Sequence, residues 1–103
     1  MLKHYILDGK EAKAVDSVEE WARWFERSEN RQIAVTYIPP KITVSTIFLG
    51  LDHNWSKSGP PVLFETMVFG YEDGNLTERT STWDEAKSVH DRIVKELMND
   101  SNN

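Results

Sequence analysis

Two stretches of the chain repeat apolar residues three and four positions apart, which is the spacing of one face of a helix. These positions are Val18, Trp21, Ala22 and Phe25 in the first stretch, and Ala86, Val89, His90, Ile93, Val94 and Leu97 in the second. Each stretch opens with a hydroxyl residue followed three positions later by a glutamate, Ser17 with Glu20 and Thr82 with Glu85. This spacing is typical of a capping box at a helix N-terminus. The pattern therefore predicts two amphipathic helices, each starting at its capping box.

Three longer runs, rich in β-branched and aromatic residues, predict strands over residues 32–38, 42–51 and 62–69. Pro39-Pro40 ends the first of these strands, because proline has no N–H to donate to a neighbouring strand. The connection after it is short, so we expect the first two strands to be antiparallel neighbours.

Shorter elements at the two ends of the chain complete the predicted fold. Residues 5–7 and 10–15 predict an N-terminal hairpin, and residues 76–81 predict a last short strand. The order β(β)-α-β-β-β-α is typical of an α+β fold, here an antiparallel sheet of three to five strands with two helices packed on one face. We expect one domain over residues 1–98 and a frayed tail over residues 99–103.

The two strands of the central hairpin are apolar on both faces. Alternate residues of a strand point to opposite sides, and one row contains Val44, Phe48 and Phe64 while the other contains Ile47 and Met67. Two short helices cover only one face of a sheet. We therefore expect the other face to present Val, Phe and Thr side chains, including Phe48 and Phe64, to a partner, most simply a second copy of this chain. In the alternative, loops and the N-terminal hairpin cover that face within one chain.

Composition and charge narrow the class of protein. The chain has 103 residues and a formal net charge of −5, which argues against a nucleic-acid partner, because such proteins normally carry a basic stripe. It has no cysteine, which excludes disulfides, thiolate metal sites and cysteine nucleophiles. No apolar run approaches the length of a membrane span, and the N-terminus becomes charged too early for a signal peptide. We expect a cytoplasmic protein with no membrane partner and no cofactor.

The loop after the first hairpin strand carries the residues most typical of a site. Asp52, His53, Asn54 and Trp55 follow one another there, at the end of a strand, where binding residues commonly occur. Tryptophan is also enriched among the residues that dominate binding energy. We predict that these four residues contact a partner, and the alternative for Trp55 is that it folds back onto the rim of the sheet.

A chemical role would combine this loop with other ionisable residues. Asp52, His53 and Glu65 are candidate catalytic residues, because a carboxylate buried on a strand can have the raised pKa that suits a general base. His53, Glu65 and His90 are candidate metal ligands, although no motif with metal-ligand spacing connects them.

Both Glu65 and His90 also fit structural roles. A carboxylate on a central strand is costly to bury without a partner, and Arg23, Arg79 or a helix N-terminus could satisfy Glu65. His90 lies on the apolar stripe of the second helix, where a histidine is more often a core residue with a hydrogen-bonded ring nitrogen than a ligand.

Five stretches of the chain form a set of motifs that belong together. They read YILDG, WARWFE, VSTIFLGLDH, GPPVLFETMVFG and RTSTWDEA. Over nearly the whole chain this set resembles a family of small proteins of unassigned function that bacteriophages and prophages encode. One stretch and one residue depart from the family pattern. NWSKSG follows LDH in place of a glycine-rich loop, and Thr80 replaces an aromatic residue. The resemblance implies a bacterial host and carries over no catalytic residue.

These observations favour a non-enzymatic accessory protein that binds itself or a bacterial host protein through the sheet face and the loop. Modulation of a host process, such as a defence system, is one form of this function, and a structural dimer in the virion is another class. The alternative is a small hydrolase or metal-dependent enzyme that uses Asp52, His53 and Glu65. The enzyme requires these side chains to converge at a concave pocket.

Overall fold

The element order in the computed structural model, which describes residues 3–56, 58–71 and 76–101, confirms an α+β fold. The elements are β1 (His4–Asp8), β2 (Glu11–Val15), α1 (Val18–Phe25), α2 (Ser28–Arg31), β3 (Gln32–Ile38), β4 (Ile42–Phe48), β5 (Phe64–Phe69), β6 (Leu76–Thr80) and α3 (Trp83–Ser101). An antiparallel sheet has the strand order β3-β4-β5-β6, and β1 and β2 form a separate hairpin. Within each sheet, strands that follow one another in the chain therefore pair with each other.

The two main helices begin where their capping boxes predict. The backbone N–H of Glu20 donates to the Ser17 hydroxyl oxygen at 3.1 Å. The N–H of Glu85 donates to Thr82 Oγ1 at 3.1 Å, and the Glu85 carboxylate accepts from the N–H of Thr82 at 3.0 Å. These bonds satisfy backbone donors that have no partner inside the helix. The one-turn helix α2 is not predicted, because its four residues carry no apolar periodicity.

Helix α3 is longer than the sequence pattern predicts. It runs through Ser101 and so includes the first three residues of the tail that is expected to fray from Asn99 onward. Neither glycine nor proline follows Met98 to end the helix. Asn102 and Asn103 lie outside the described residues.

Strands β4 and β5 are shorter than predicted, because the chain turns sharply between them. β4 ends at Phe48 and β5 begins at Phe64. Gly50 follows with a φ of +76°, in the left-handed region that favours glycine. Its carbonyl accepts a hydrogen bond from the Tyr5 N–H at 2.8 Å. The end of β4 is thereby tied to the N-terminal hairpin.

Aromatic rings of α1 pack over this turn. The Trp21 indole N–H donates to the Gly50 carbonyl oxygen at 3.0 Å, and the Trp21 and Phe25 rings stack with 4.6 Å between centroids. A Cβ at position 50 would lie 2.9 Å from the Phe25 ring. Position 50 therefore requires glycine both for its φ and for the close approach of α1.

The face of the sheet that α3 covers is the one with rows of valine, threonine and phenylalanine. Val44, Phe48, Phe64 and Val68 on this face are each at most 1% exposed. Trp24 of α1 reaches the same face, where its ring lies edge-on to Phe48 with 5.5 Å between centroids. The prediction that Phe48 and Phe64 belong to an exposed contact surface is wrong.

The choice of buried face has a physical reason. Within β4 and β5 the covered rows hold only apolar and threonine side chains, whereas the opposite rows include Ser45 and Glu65. Burying a serine and a carboxylate beneath a helix would cost more free energy than burying threonines that can bond to one another. The sheet therefore turns its valine and phenylalanine rows toward α3.

The core beneath α3 consists of two apolar clusters with a polar layer between them. One cluster contains Ile38, Val44, Val68, Ile93 and Leu97, and the other contains Phe48, Leu63, Phe64 and Ala86. The polar layer is formed by Thr46, Thr66 and His90, which are at most 2% exposed. Buried polar groups are tolerated when they are hydrogen-bonded.

One chain of hydrogen bonds through His90 joins α3 to three strands. The ring Nε2 lies 2.9 Å from Thr36 Oγ1 of β3, and Nδ1 lies 2.8 Å from Thr46 Oγ1 of β4. Thr46 Oγ1 lies 2.6 Å from Thr66 Oγ1 of β5. In a neutral imidazole one nitrogen donates and the other accepts, so all three hydrogen bonds can point the same way along this chain. The alternative of a core role for His90 is confirmed, and both of its ring nitrogens are already engaged.

Burial in this layer lowers the pKa of His90 below its ordinary value of about 6.5, and the nearby Lys87 ammonium lowers it further while Asp91 opposes the effect. Since the pKa is lower in the folded state, the unfolded chain binds more protons below pH 6.5. The stabilisation from a neutral His90 is therefore complete above pH 6.5 and is lost as the pH falls through that value toward the folded pKa.

We expect a smaller fraction of His90 than of a free histidine to be protonated at pH 6, because the pKa of His90 is lowered. In an NMR titration its ring signals should move at lower pH than those of a free histidine in the same buffer. Urea unfolding should show that protonation of His90 lowers the free energy of unfolding by at most about 1.4 kcal/mol per pH unit below pH 6.5. A His90 midpoint at or above 6.5 would contradict this assignment.

Candidate functional site

Asp52 closes the loop that connects β4 to β5. One oxygen of its carboxylate, Oδ1, accepts two hydrogen bonds, from the N–H of Asn54 at 2.8 Å and from the N–H of Val62 at 2.9 Å. A third bond joins the two sides of the loop, because the His53 N–H donates to the Val62 carbonyl at 2.9 Å. The predicted catalytic and binding residue Asp52 thus holds the start of the loop against its end.

Asn54 organises the interior of the loop in a similar way. Its side-chain amide donates to the carbonyl of Ser58 at 3.1 Å and to that of Pro60 at 2.8 Å. Its Oδ1 accepts from the N–H of Ser56 at 2.9 Å. Gly59, with a φ of +93°, lies in this turn. The loop is therefore built from side-chain hydrogen bonds to the backbone, and the predicted binding residue Asn54 supplies most of those in its interior.

His53 and Trp55 carry the aromatic rings of this loop. The imidazole Nδ1 lies 2.8 Å from the Leu51 carbonyl oxygen, to which only a protonated nitrogen can donate. In the neutral ring this leaves Nε2 as an acceptor. The Trp55 ring lies edge-on to His53, 6.1 Å away between centroids, and the residue is 72% exposed. The alternative that Trp55 folds back and is buried against the sheet is wrong.

Glu65 lies on the sheet face that α3 does not cover. Its carboxylate accepts from Arg79 Nε at 2.8 Å across the β5–β6 pair. The Glu65 side chain is 12% exposed and that of Arg79 is 47% exposed. The alternative of an ion pair between Glu65 and Arg79 is confirmed.

The candidate catalytic residues therefore have separate partners. Asp52 bonds to loop N–H groups, His53 to the Leu51 carbonyl, and Glu65 to Arg79. Within the described ranges, no group of three or more His, Asp and Glu side chains could hold a metal ion. The weak metal candidates His53, Glu65 and His90 do not form such a group.

Two clefts flank Trp83 at the start of α3, and sequence reasoning did not predict them. One has a volume of about 380 Å³ and is lined by residues that include Trp24, Asn30 and Ile33. The other has a volume of about 290 Å³ and is lined by residues that include Tyr5 and Lys10. The Lys10 ammonium lies 4.4 Å from the centroid of the Trp83 ring. Neither cleft is lined by any of the candidate catalytic residues.

A further candidate binding feature is the sheet face opposite α3, here called the open face. It carries Val35, Tyr37 and Phe69, which are 48%, 59% and 42% exposed. Ile47 of β4 and Met67 of β5 share this face and are partly buried, and Thr43 and Ser45 of β4 lie between the residues of β3 and those of β5. The residue types had indicated one uncovered face, but the prediction assigned it to the row of Phe48 and Phe64, which is the buried one. Val35 and Tyr37 on β3 were the missed members.

Comparison with known proteins finds no match among protein-family models, curated proteins or solved structures. In the part of the chain that the structure describes, no helix is both long and apolar enough to cross a membrane.

Replacing Asp52 with alanine should destabilise the protein by about 2 kcal/mol, because two backbone N–H groups lose a charged acceptor. Asp52→Asn is the matched control, since its amide oxygen can accept both bonds and should retain most of the stability. Urea unfolding of the three proteins at pH 7 measures the difference. Equal losses in both variants would show that the charge of Asp52, and not its acceptor geometry, is what matters.

Proposed function

We propose that this chain acts by protein–protein interaction and that the open face is its principal contact surface. The observation that carries the proposal is the exposure of Val35, Tyr37 and Phe69 on one side of a sheet whose other side is buried beneath α3 along β4 and β5. Large apolar groups gathered on one exposed face of a small domain commonly mark an interaction surface.

The chemistry of the open face suits a protein partner. Tyrosine, phenylalanine and methionine, present as Tyr37, Phe69 and Met67, are enriched at protein interfaces. The charges of Glu65 and Arg79 neutralise each other within the face, so a partner does not have to supply a countercharge. Trp55 in the loop offers a second aromatic contact.

The wider role that we propose is that of a bacteriophage or prophage accessory protein in the cytoplasm of a bacterial host. The support is the resemblance of the VSTIFLGLDH and GPPVLFETMVFG stretches to proteins encoded by phages. In this role the partner is a second copy of the chain or a host protein, and binding modulates a host process such as defence.

The enzymatic alternative has less support. Asp52, His53 and Glu65 would have to leave their present hydrogen bonds to act on one substrate. Proton transfer requires the acting group within hydrogen-bond reach of the substrate, and the two clefts beside Trp83 are lined by other residues.

Phe69→Lys should abolish the contacts made by the open face, because it places an ammonium in the middle of an apolar contact. Val18→Lys is the matched control: Val18 is a 56% exposed apolar residue on α1, and the charge change is the same. Each protein is immobilised and incubated with a bacterial lysate. We expect proteins retained by the wild type and Val18→Lys to be lost from Phe69→Lys.

Circular dichroism melting curves establish that both variants are folded. Equal retention by all three proteins would contradict the assignment of the open face as the contact surface.

A further inference from the structure

The four-stranded sheet ends in two edges of different chemistry, at β3 and at β6. Within the described residues β3 pairs with β4 alone, so alternate backbone N–H and C=O groups along its other side have no strand partner. β3 reads QIAVTYI: it has seven residues and contains neither a charge nor a proline. An edge of this kind is a template for pairing with another strand.

The opposite edge carries the features that prevent strand pairing. β6 has five residues, LTERT, two of which are charged. Glu78 is paired with Arg92 of α3, and Arg79 is paired with Glu65. Charged side chains on a short edge strand discourage the approach of another strand. Pairing between sheets is therefore favoured at β3.

We propose that β3 pairs with β3 of a second copy of this chain, in antiparallel orientation, to form a continuous eight-stranded sheet. The proposal rests on the proposed function, since it names a second copy as the partner and places it at the edge of the open face. A two-fold axis perpendicular to the sheet relates the copies. Both open faces then lie on the same side of the joined sheet.

The register of this pairing follows from the side chains and from one irregularity. A β-bulge between Gln32 and Ala34 ends the regular part of β3 on one side, and Pro39 ends it on the other. The regular segment is therefore 34–38, and its centre is Thr36. Centring the two-fold axis on Thr36 sets each Val35 opposite Tyr37 of the partner copy.

This register covers the two most exposed apolar groups of the strand with each other. Val35 and Tyr37 are 48% and 59% exposed in one chain, and an aromatic residue opposite a β-branched residue is a favourable cross-strand pair. A second copy is favoured as the occupant because β3 complements itself: the two-fold axis sets Val35 of each chain opposite Tyr37 of the other, and β3 carries no charge although each chain has a net charge of −5. Two copies can meet at β3 without bringing like charges into the contact.

Cysteine cross-linking tests the register, because the chain has no cysteine of its own. Val35→Cys and Tyr37→Cys are prepared separately, one of them tagged, and oxidised alone and as a mixture. We expect the mixture to form the disulfide-linked dimer several-fold more than either variant alone. In the proposed register positions 35 and 37 are directly opposite, whereas two copies of the same position are diagonal and too far apart for the bond.

Light scattering after size exclusion measures the association without cross-linking. The wild type and Phe69→Lys should have twice the mass of one chain, because Phe69 lies two strands away from the contact. Val35→Lys should have the mass of one chain, since it places a charge on the edge.

The two proposals fail in different ways. A wild-type chain that is monomeric at high concentration, or cross-linking that is no greater in the mixture, overturns the β3 pairing. The open face still stands as a surface for another protein if Phe69→Lys loses its lysate partner. If the mixture cross-links as expected but Phe69→Lys retains everything that the wild type retains, the pairing stands and the wider function of the open face fails.

Discussion

The position of α3 depends on the hydrogen bonds that His90 makes to threonines of the sheet. An imidazole and three hydroxyls beneath a helix would be costly without partners, and each of them has one here. Apolar packing alone tolerates small slides and rotations of a helix, because many arrangements bury similar area. Directional bonds from one ring to Thr36 and Thr46 select a single rotation and a single height of α3 over the sheet. The two apolar clusters then pack on either side of that point.

This arrangement has a consequence for the opposite side of the molecule. The one long helix is committed to one face, and Trp24 of α1 adds to the same side. The hairpin of β1 and β2 is engaged at the end of β4 through Gly50. Among the described residues no helix packs on the opposite face, and Tyr37 and Phe69 are exposed there, on the open face. The open face is thus exposed because α3, α1 and the β1–β2 hairpin all pack elsewhere.

Local signals predicted the elements of this fold well. Ser17 with Glu20 and Thr82 with Glu85 identify the helix starts, and the predicted strand over residues 32–38 has the observed bounds. These features depend on residues that are close in the sequence, so the sequence pattern is sufficient to find them. The end of β4 at Phe48 was less predictable, because the turn at Gly50 is stabilised by contacts with Tyr5 and the rings of α1.

The sequence pattern could not predict which residues far apart in the chain contact one another. Period-2 alternation shows that a strand has two faces, but it does not show which face packs against a helix. Because both faces of β4 and β5 are apolar, the sequence alone could not show that the row of Phe48 and Phe64 is the buried one. The partners of His90 lie 54 and 44 residues away in the chain, at Thr36 and Thr46. Asp52 presents a related difficulty: an aspartate at a strand end is equally typical of catalysis and of capping backbone N–H groups.

The hydrogen bonds of Asp52 also bear on how this chain can vary in evolution. One carboxylate oxygen ties Asn54 at the start of the loop to Val62 at its end, so the spacing of the two strands does not depend on how many residues lie between them. We expect insertions or deletions near the exposed Ser56 and Ser58 to leave the register of β4 and β5 unchanged. The loop can then vary in length at its tip, while the hydrogen bonds of Asp52 keep the ends of the two strands together.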